Sequence, residues 1–174
     1  MIHIGYASTS ENNIHQQLQR TLNTEVSGSF LTVNKTEDFF SEHRLKIANA
    51  IELLKDTPLL DGYTHPAEII LQKIVESVPE FFVNNYILYT KQNDAIVADF
   101  IKILGRVGDD LRTKEKAKIL SFGLLSENIE IRDVAIQAAE LWENNELSPI
   151  LLVHKDKEHW LTEYAHSVGT DLQG

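Results

Sequence analysis

His159, Glu163 and His166 stand at i, i+4 and i+7, a spacing that brings three side chains onto one face of a helix. An imidazole–carboxylate–imidazole set could hold a divalent cation. The same stretch carries Trp160, Leu161, Tyr164, Ala165 and Val168 on the nearly opposite side, and those are the residues a core would take. The His/Glu face is therefore expected to be wet, with neither a fourth ligand nor the supporting hydrogen bonds of a metal centre. No metal site and no cofactor is assigned. His43 lies on an apolar stripe and reads as a buried histidine. Gly105-Arg106-Val107-Gly108 has the form of a phosphate-clamping GxxG, but Asp109 and Asp110 follow and would repel phosphate, so it reads as a helix end and turn. Those two carboxylates are adjacent and diverge. No nucleophile elbow, phosphate loop, zinc-protease helix or dinucleotide fingerprint occurs. No catalytic residue is assigned, and the chain is expected not to be an enzyme.

The strongest electrostatic feature lies in 126–146, where Glu127, Glu130, Asp133, Glu140, Glu143 and Glu146 face only Arg132. Several fall on the outward side of one helix together with Gln137, beside Ile129 and Ile136, which also read as exposed. An acidic rim around apolar residues suits a basic protein partner: charge steers the encounter and isoleucine supplies the burial. The candidate partner-binding residues are thus Glu127, Glu130, Asp133, Ile136, Gln137, Glu140 and Glu143. The whole chain has 16 Lys and Arg against 26 Asp and Glu, a formal charge of −10. That balance argues against a nucleic-acid backbone as the main ligand. Arg112, Lys114, Lys116 and Lys118 form the one basic cluster and read as a solvated helix start. With no cysteine, disulfides, thiol nucleophiles and zinc–thiolate sites are excluded. No apolar run reaches the roughly 18–20 residues of a membrane span, and no secretory leader is visible at the N-terminus. A cytoplasmic protein with no membrane partner is the expectation.

These residues must be positioned by helices. From about residue 36 the chain reads as amphipathic helices with short breaks. Thr57-Pro58, Thr64-His65-Pro66 and Ser148-Pro149 each place a hydroxyl before a first-turn proline. Ser77 and Glu80 match a capping box, Asn93, Asn128 and Asp156 are further caps, and Gly62, Gly105 and Gly108 mark helix ends. Apolar stripes run through Phe40, His43, Ile47, Ala50, Ile51 and Leu54, through Ala67, Ile70, Leu71, Ile74, Val75 and Val78, and through Ile131, Val134, Ala135, Ala138, Leu141 and Trp142. Segment 94–105 is apolar over more than half its circumference and should be covered on two sides. Phe81, Phe82, Tyr86 and Tyr89 crowd the helix expected after Ser77.

The pattern repeats. Ala98, Ile101 and Leu104 recur 37 residues later as Ala135, Ala138 and Leu141, a period that belongs to stacked helix pairs. The run Asn128-Ile129-Glu130-Ile131-Arg132-Asp133-Val134-Ala135-Ile136-Gln137-Ala138-Ala139-Glu140-Leu141 resembles the first helix of a HEAT repeat: an apolar residue followed by arginine, then small residues three apart and a leucine. Leu147 to Val153, closed by Asp156, is similar to its second helix, and Trp160, Leu161, Tyr164 and Ala165 to the opening of another. The resemblance extends over roughly 65–170, though the helix at 94–105 lacks the arginine. It implies an all-α fold, a short HEAT-like solenoid of stacked antiparallel helix pairs; the alternative is an irregular helical bundle. Residues 1–174 read as one domain, with 1–35 as an irregular N-terminal cap, strand-like at Ile2–Tyr6 and Gly28–Val33 and helical around Ile14–Leu22, and 36–174 as the repeats. The expected function is a non-catalytic protein-interaction module, similar in type to immunity proteins and antitoxins that block a basic partner. The rival reading is a nucleic-acid-processing or metal-dependent enzyme on the same scaffold.

Overall fold

The computed structural model describes residues 37–60 and 62–174. Among them all regular structure is helical, without a strand. Helix α1 spans 37–56. It is followed by α2 (Pro66–Ser77), α3 (Phe81–Asn85), α4 (Ile87–Thr90), α5 (Asp94–Val107), α6 (Thr113–Leu124), α7 (Ile129–Leu141), α8 (Ser148–Val153) and α9 (His159–Asp171), with 3-10 turns at Gly108–Asp110 and Asn145–Leu147. The strand-like and helical expectations for 1–35, and the cap they would form, lie outside the described residues. The chain divides into two compact units, Met1–Glu42 and His43–Gly174; of the first only the opening of α1 is described, and the second holds everything that follows.

In that second unit α5 lies on α7, and α7 lies also against α6 and α9. Helices α8 and α9 pair, α2 rests on α5, and α3 rests on α6. The double coverage expected of 94–105 is present: Ile96, Val97, Ala98, Phe100, Ile101, Ile103, Leu104 and Gly105 are all buried. Small residues permit the closest approach. A Cβ on Gly123 of α6 would fall 2.3 Å from that of Ala135 on α7, so these two helices meet backbone to backbone.

Helix starts follow the expected physics in part. Asn93 and Asn128 cap α5 and α7 through their side-chain oxygens, which accept from Ile96 and Glu130 N–H. At α2 the cap is His65 rather than Thr64: its Nδ1 accepts from Ala67 N–H at 3.1 Å, while Nε2 lies 3.2 Å from the Thr57 carbonyl. No helix begins at Pro58. The capping box at Ser77 does not form either. Ser77 ends α2 and donates back to the Lys73 carbonyl at 2.6 Å, and the aromatic segment is broken at Tyr86 into α3 and α4. Ser148 ties α8 to α9 by donating to the Gly169 carbonyl at 2.6 Å, and Gly105 sits inside α5, which Gly108 ends.

Phe81, Phe82, Tyr89 and Phe100 form the aromatic core, with the Tyr89 ring stacked on Phe100 at 4.7 Å and edge-on to Phe122 at 5.7 Å. The Tyr89 hydroxyl is buried there without a hydrogen-bond partner. Burial pushes its pKa well up, with Tyr86 adding to the effect. A buried donor left unmade costs desolvation with nothing in return. Tyr89→Phe is therefore expected to raise the unfolding free energy by about 1 kcal/mol, read as a higher urea midpoint at unchanged slope.

Candidate functional site

The acidic stripe is carried by α7. Glu130, Asp133, Gln137 and Glu140 recur at steps of three, four and three, so they line one face of the helix; Glu127 and Glu143 extend it past either end. The local cause is the opposite side, where Ile131, Val134, Ala135 and Ala138 are buried and hold the polar residues outward. Glu127 is 98% exposed at its side chain and pairs with Lys157 at 3.1 Å. Glu130 pairs with Lys102 of α5 at 3.3 Å. Asp133 accepts from the Gln137 carboxamide at 2.9 Å, and the Tyr164 hydroxyl of α9 donates to Glu140. Burial, the Glu140 hydrogen bond and the charges of Glu140 and Asp133 together raise the Tyr164 pKa. Glu143, at φ +46°, holds the chain in a left-handed turn just past the helix.

One predicted member is misplaced. Ile136 is fully buried, because α7 is packed by α5, α6 and α9 and its covered surface is wider than a single stripe. The exposed apolar residue is instead Leu141, which the helical stepping had put in the core and which is 58% exposed. Ile129 is exposed as expected. Leu141 lines a cavity of about 300 Å³ with Leu59, Lys102, Arg106, Val134 and Gln137, so Gln137 belongs both to the acidic stripe and to a cavity of mixed polar and apolar lining. The two cations there already face carboxylates, Lys102 with Asp99 and Glu130, and Arg106 with Glu68 at 3.7 Å. A signal for Leu141 existed in the sequence: it is the last residue of its helix, where the stripe has no following turn to cover it.

Arg132, counted with the stripe in the sequence, points the other way. Its guanidinium holds Asp156 in two contacts, Nε to Oδ2 at 2.7 Å and Nη2 to Oδ1 at 3.2 Å, and donates through Nη1 to the carbonyls of Ser126 and Glu127. Asp156 in turn accepts from Glu158 N–H and faces His154 Nε2 at 3.3 Å. This buried pair clamps the turn before α7 to the turn before α9. The exposed stripe is left with carboxylates of its own and cations only from its neighbours.

The remaining candidates resolve simply. His159 and Glu163 pair on the surface at 3.4 Å, while His166 Nε2 turns to the His154 carbonyl at 3.1 Å. The three do not converge. Trp160, expected in the buried stripe of α9, is 48% exposed. His43 is buried against Phe81, with ring centroids 5.6 Å apart. The basic cluster is solvated in part: Arg112 and Lys114 are exposed, Arg112 gripping the buried Glu115 with two contacts, while Lys118 covers the Tyr86 ring at 4.3 Å and Lys116 is buried over Trp142. Desolvation lowers the Lys116 pKa, against the opposing pull of Asp109 and Asp110. No helix among the described residues is long and apolar enough to cross a membrane. The chain matches no protein-family model, and the searches of curated proteins and of solved structures return no match.

Proposed function

We propose that this chain is a cytoplasmic, non-catalytic protein-binding module built as a short HEAT-like stack of helix pairs, and that it engages a partner with a basic surface through the outer face of α7. In its narrower form the reading is a stoichiometric inhibitor that occupies the basic working surface of a toxin- or nuclease-like protein. The observation that supports it is the exposed stripe of Glu130, Gln137 and Glu140 on α7, with Gln137 and the exposed Leu141 lining the adjoining cavity. Such a stripe supplies electrostatic steering, and Leu141 supplies an apolar anchor. The ion pairs of Glu127 and Glu130 with lysines are surface pairs of small worth, so a partner's arginines can replace those lysines at little cost. The successive contacts α2 to α5, α5 to α7 and α7 to α9 support the stacked-repeat reading.

The test is binding of a net-positive partner to the wild-type chain and to a Glu130→Lys/Glu140→Lys variant. Charge reversal is expected to weaken binding by at least about tenfold, mainly through slower association and with reduced salt dependence. Leu141→Ala is expected to act on dissociation, with a loss of about 1–2 kcal/mol. A partner whose affinity ignores both salt and the double reversal would overturn the reading, as would tight duplex DNA binding at low salt.

A further inference from the structure

One histidine holds two helix ends at once. His65 is 5% exposed and caps α2, at the end of the segment 57–65 that follows α1. Its Nδ1 accepts from Ala67 N–H at 3.1 Å, and its Nε2 meets the Thr57 carbonyl at 3.2 Å. A carbonyl can only accept, so Nε2 carries the hydrogen and Nδ1 keeps its lone pair. Both bonds exist together in one form of the ring, the neutral tautomer protonated at Nε2.

A second proton has no place there. On Nδ1 it turns the acceptor into a donor aimed at Ala67 N–H, and the cap is lost. It also sets a positive charge at the N-terminal end of α2, where the helix dipole disfavours cations. The charged groups around this junction, among the described residues, are Glu68 in the first turn of α2, Arg106 of α5, Asp56 at the end of α1, and Asp109 and Asp110 of the 3-10 turn packed on α2. Glu68 attracts an imidazolium, but Arg106 faces that carboxylate at 3.7 Å and opposes the pull. The three aspartates are exposed and act through water. None of this attraction returns the lone pair that Ala67 N–H loses.

The fastening also reaches the cavity beside α7. Leu59, two residues beyond Thr57, lines that cavity with Gln137 and Leu141. We propose that His65 is a pH-sensitive latch: as a neutral ring it fastens the segment between α1 and α2, and on protonation it releases that segment and draws Leu59 from the cavity. The latch does not depend on the partner proposed for α7, although the cavity it closes adjoins that face.

The experiment takes the full chain, isotopically labelled, from about pH 8 to about pH 5, the range in which imidazole gains its proton. At the upper end the ring nitrogens of His65 are expected to report the neutral Nε2-protonated tautomer. As the ring protonates, the protection factor of the Ala67 amide should fall at least about fivefold, the equivalent of a lost cap. The Leu59 methyl groups should become more accessible to a soluble paramagnetic probe, while the amides of α7 and α9 keep their protection. His65→Asn retains a capping oxygen that does not titrate, and should show neither change. An Nδ1-protonated tautomer at the upper pH overturns the proposal, as does a ring that stays neutral throughout or a protonated ring with Ala67 still protected. The same fall in His65→Asn, or a fall shared equally by α7 and α9, also overturns it. The ring and amide readings are made on the wild type, so they decide the proposal even where the variant does not fold.

Discussion

Removing either member of the Arg132–Asp156 pair is expected to cost about 3–5 kcal/mol of unfolding free energy, a large share of what holds a domain of this size together. The side chains are 4% and 1% exposed and meet in two contacts. Arg132→Met leaves a buried carboxylate facing an apolar chain; Asp156→Ala leaves a buried guanidinium whose remaining partners are the Ser126 and Glu127 carbonyls. Either change strands a charge, which is where the cost arises. The double variant strands none and is expected to lose much less than the sum of the two, a coupling that urea titrations of the four proteins measure directly. Burial by itself raises the Asp156 pKa, but the Arg132 hydrogen bond, the Glu158 N–H, the His154 contact and the Arg132 charge together outweigh it, and the net value is lowered. Folding thus favours the ionised carboxylate. The resulting stabilisation is complete above the unfolded carboxyl value of about 3.9 and is lost as pH falls through the lower folded value. Wild-type stability should decline below about pH 4, and Asp156→Ala should remove this contribution to the decline. An unchanged acid limb would show that the pair does not carry it.

That clamp also shows what the sequence exposes and what it hides. Helicity was legible because Ile131, Val134, Ala135 and Ala138, and the broad apolar girdle of 94–105, follow the helical period closely, and their burial bears this out. The acidic stripe was legible for the same reason: Glu130, Asp133, Gln137 and Glu140 take the complementary positions. Periodicity assigns one inward direction to each helix, however, and α7 is packed by three neighbours. Ile136 therefore disappeared into the core, and Leu141, at the helix end, emerged beside the groove. Arg132 was counted with the surface charges because its partner lies 24 residues away, a contact that no local pattern announces. The cap at His65 was missed because imidazole is not among the usual capping groups, yet its Nδ1 serves as an acceptor when the ring is anchored on its other side.

A single methyl group at Gly108 is expected to be nearly as damaging as breaking the buried ion pair. Gly108 closes α5 at φ −86°, a conformation open to any residue, so its small size and not its backbone freedom is what the fold uses. A Cβ there would lie 2.2 Å from Nε1 and 2.9 Å from Cδ1 of Trp142, well inside contact distance. The indole cannot simply yield. Its N–H donates to the Leu104 carbonyl at 3.0 Å in a buried site, and Lys116 lies over the ring, 6.0 Å from its centroid. Gly108→Ala must therefore displace the ring, with overpacking worth about 1–3 kcal/mol and a lost buried hydrogen bond worth about 1–3 kcal/mol more. A total of about 4 kcal/mol follows from the middle of those ranges. Because the chain has only two tryptophans, a Trp160→Phe background isolates the indole, and Gly108→Ala should move its emission to longer wavelength along with the lower urea midpoint. In a Trp142→Leu background the same alanine meets a smaller, more adaptable side chain, and its cost should fall by about 2 kcal/mol. An equal cost in both backgrounds would locate the penalty in the helix end itself and not in the indole.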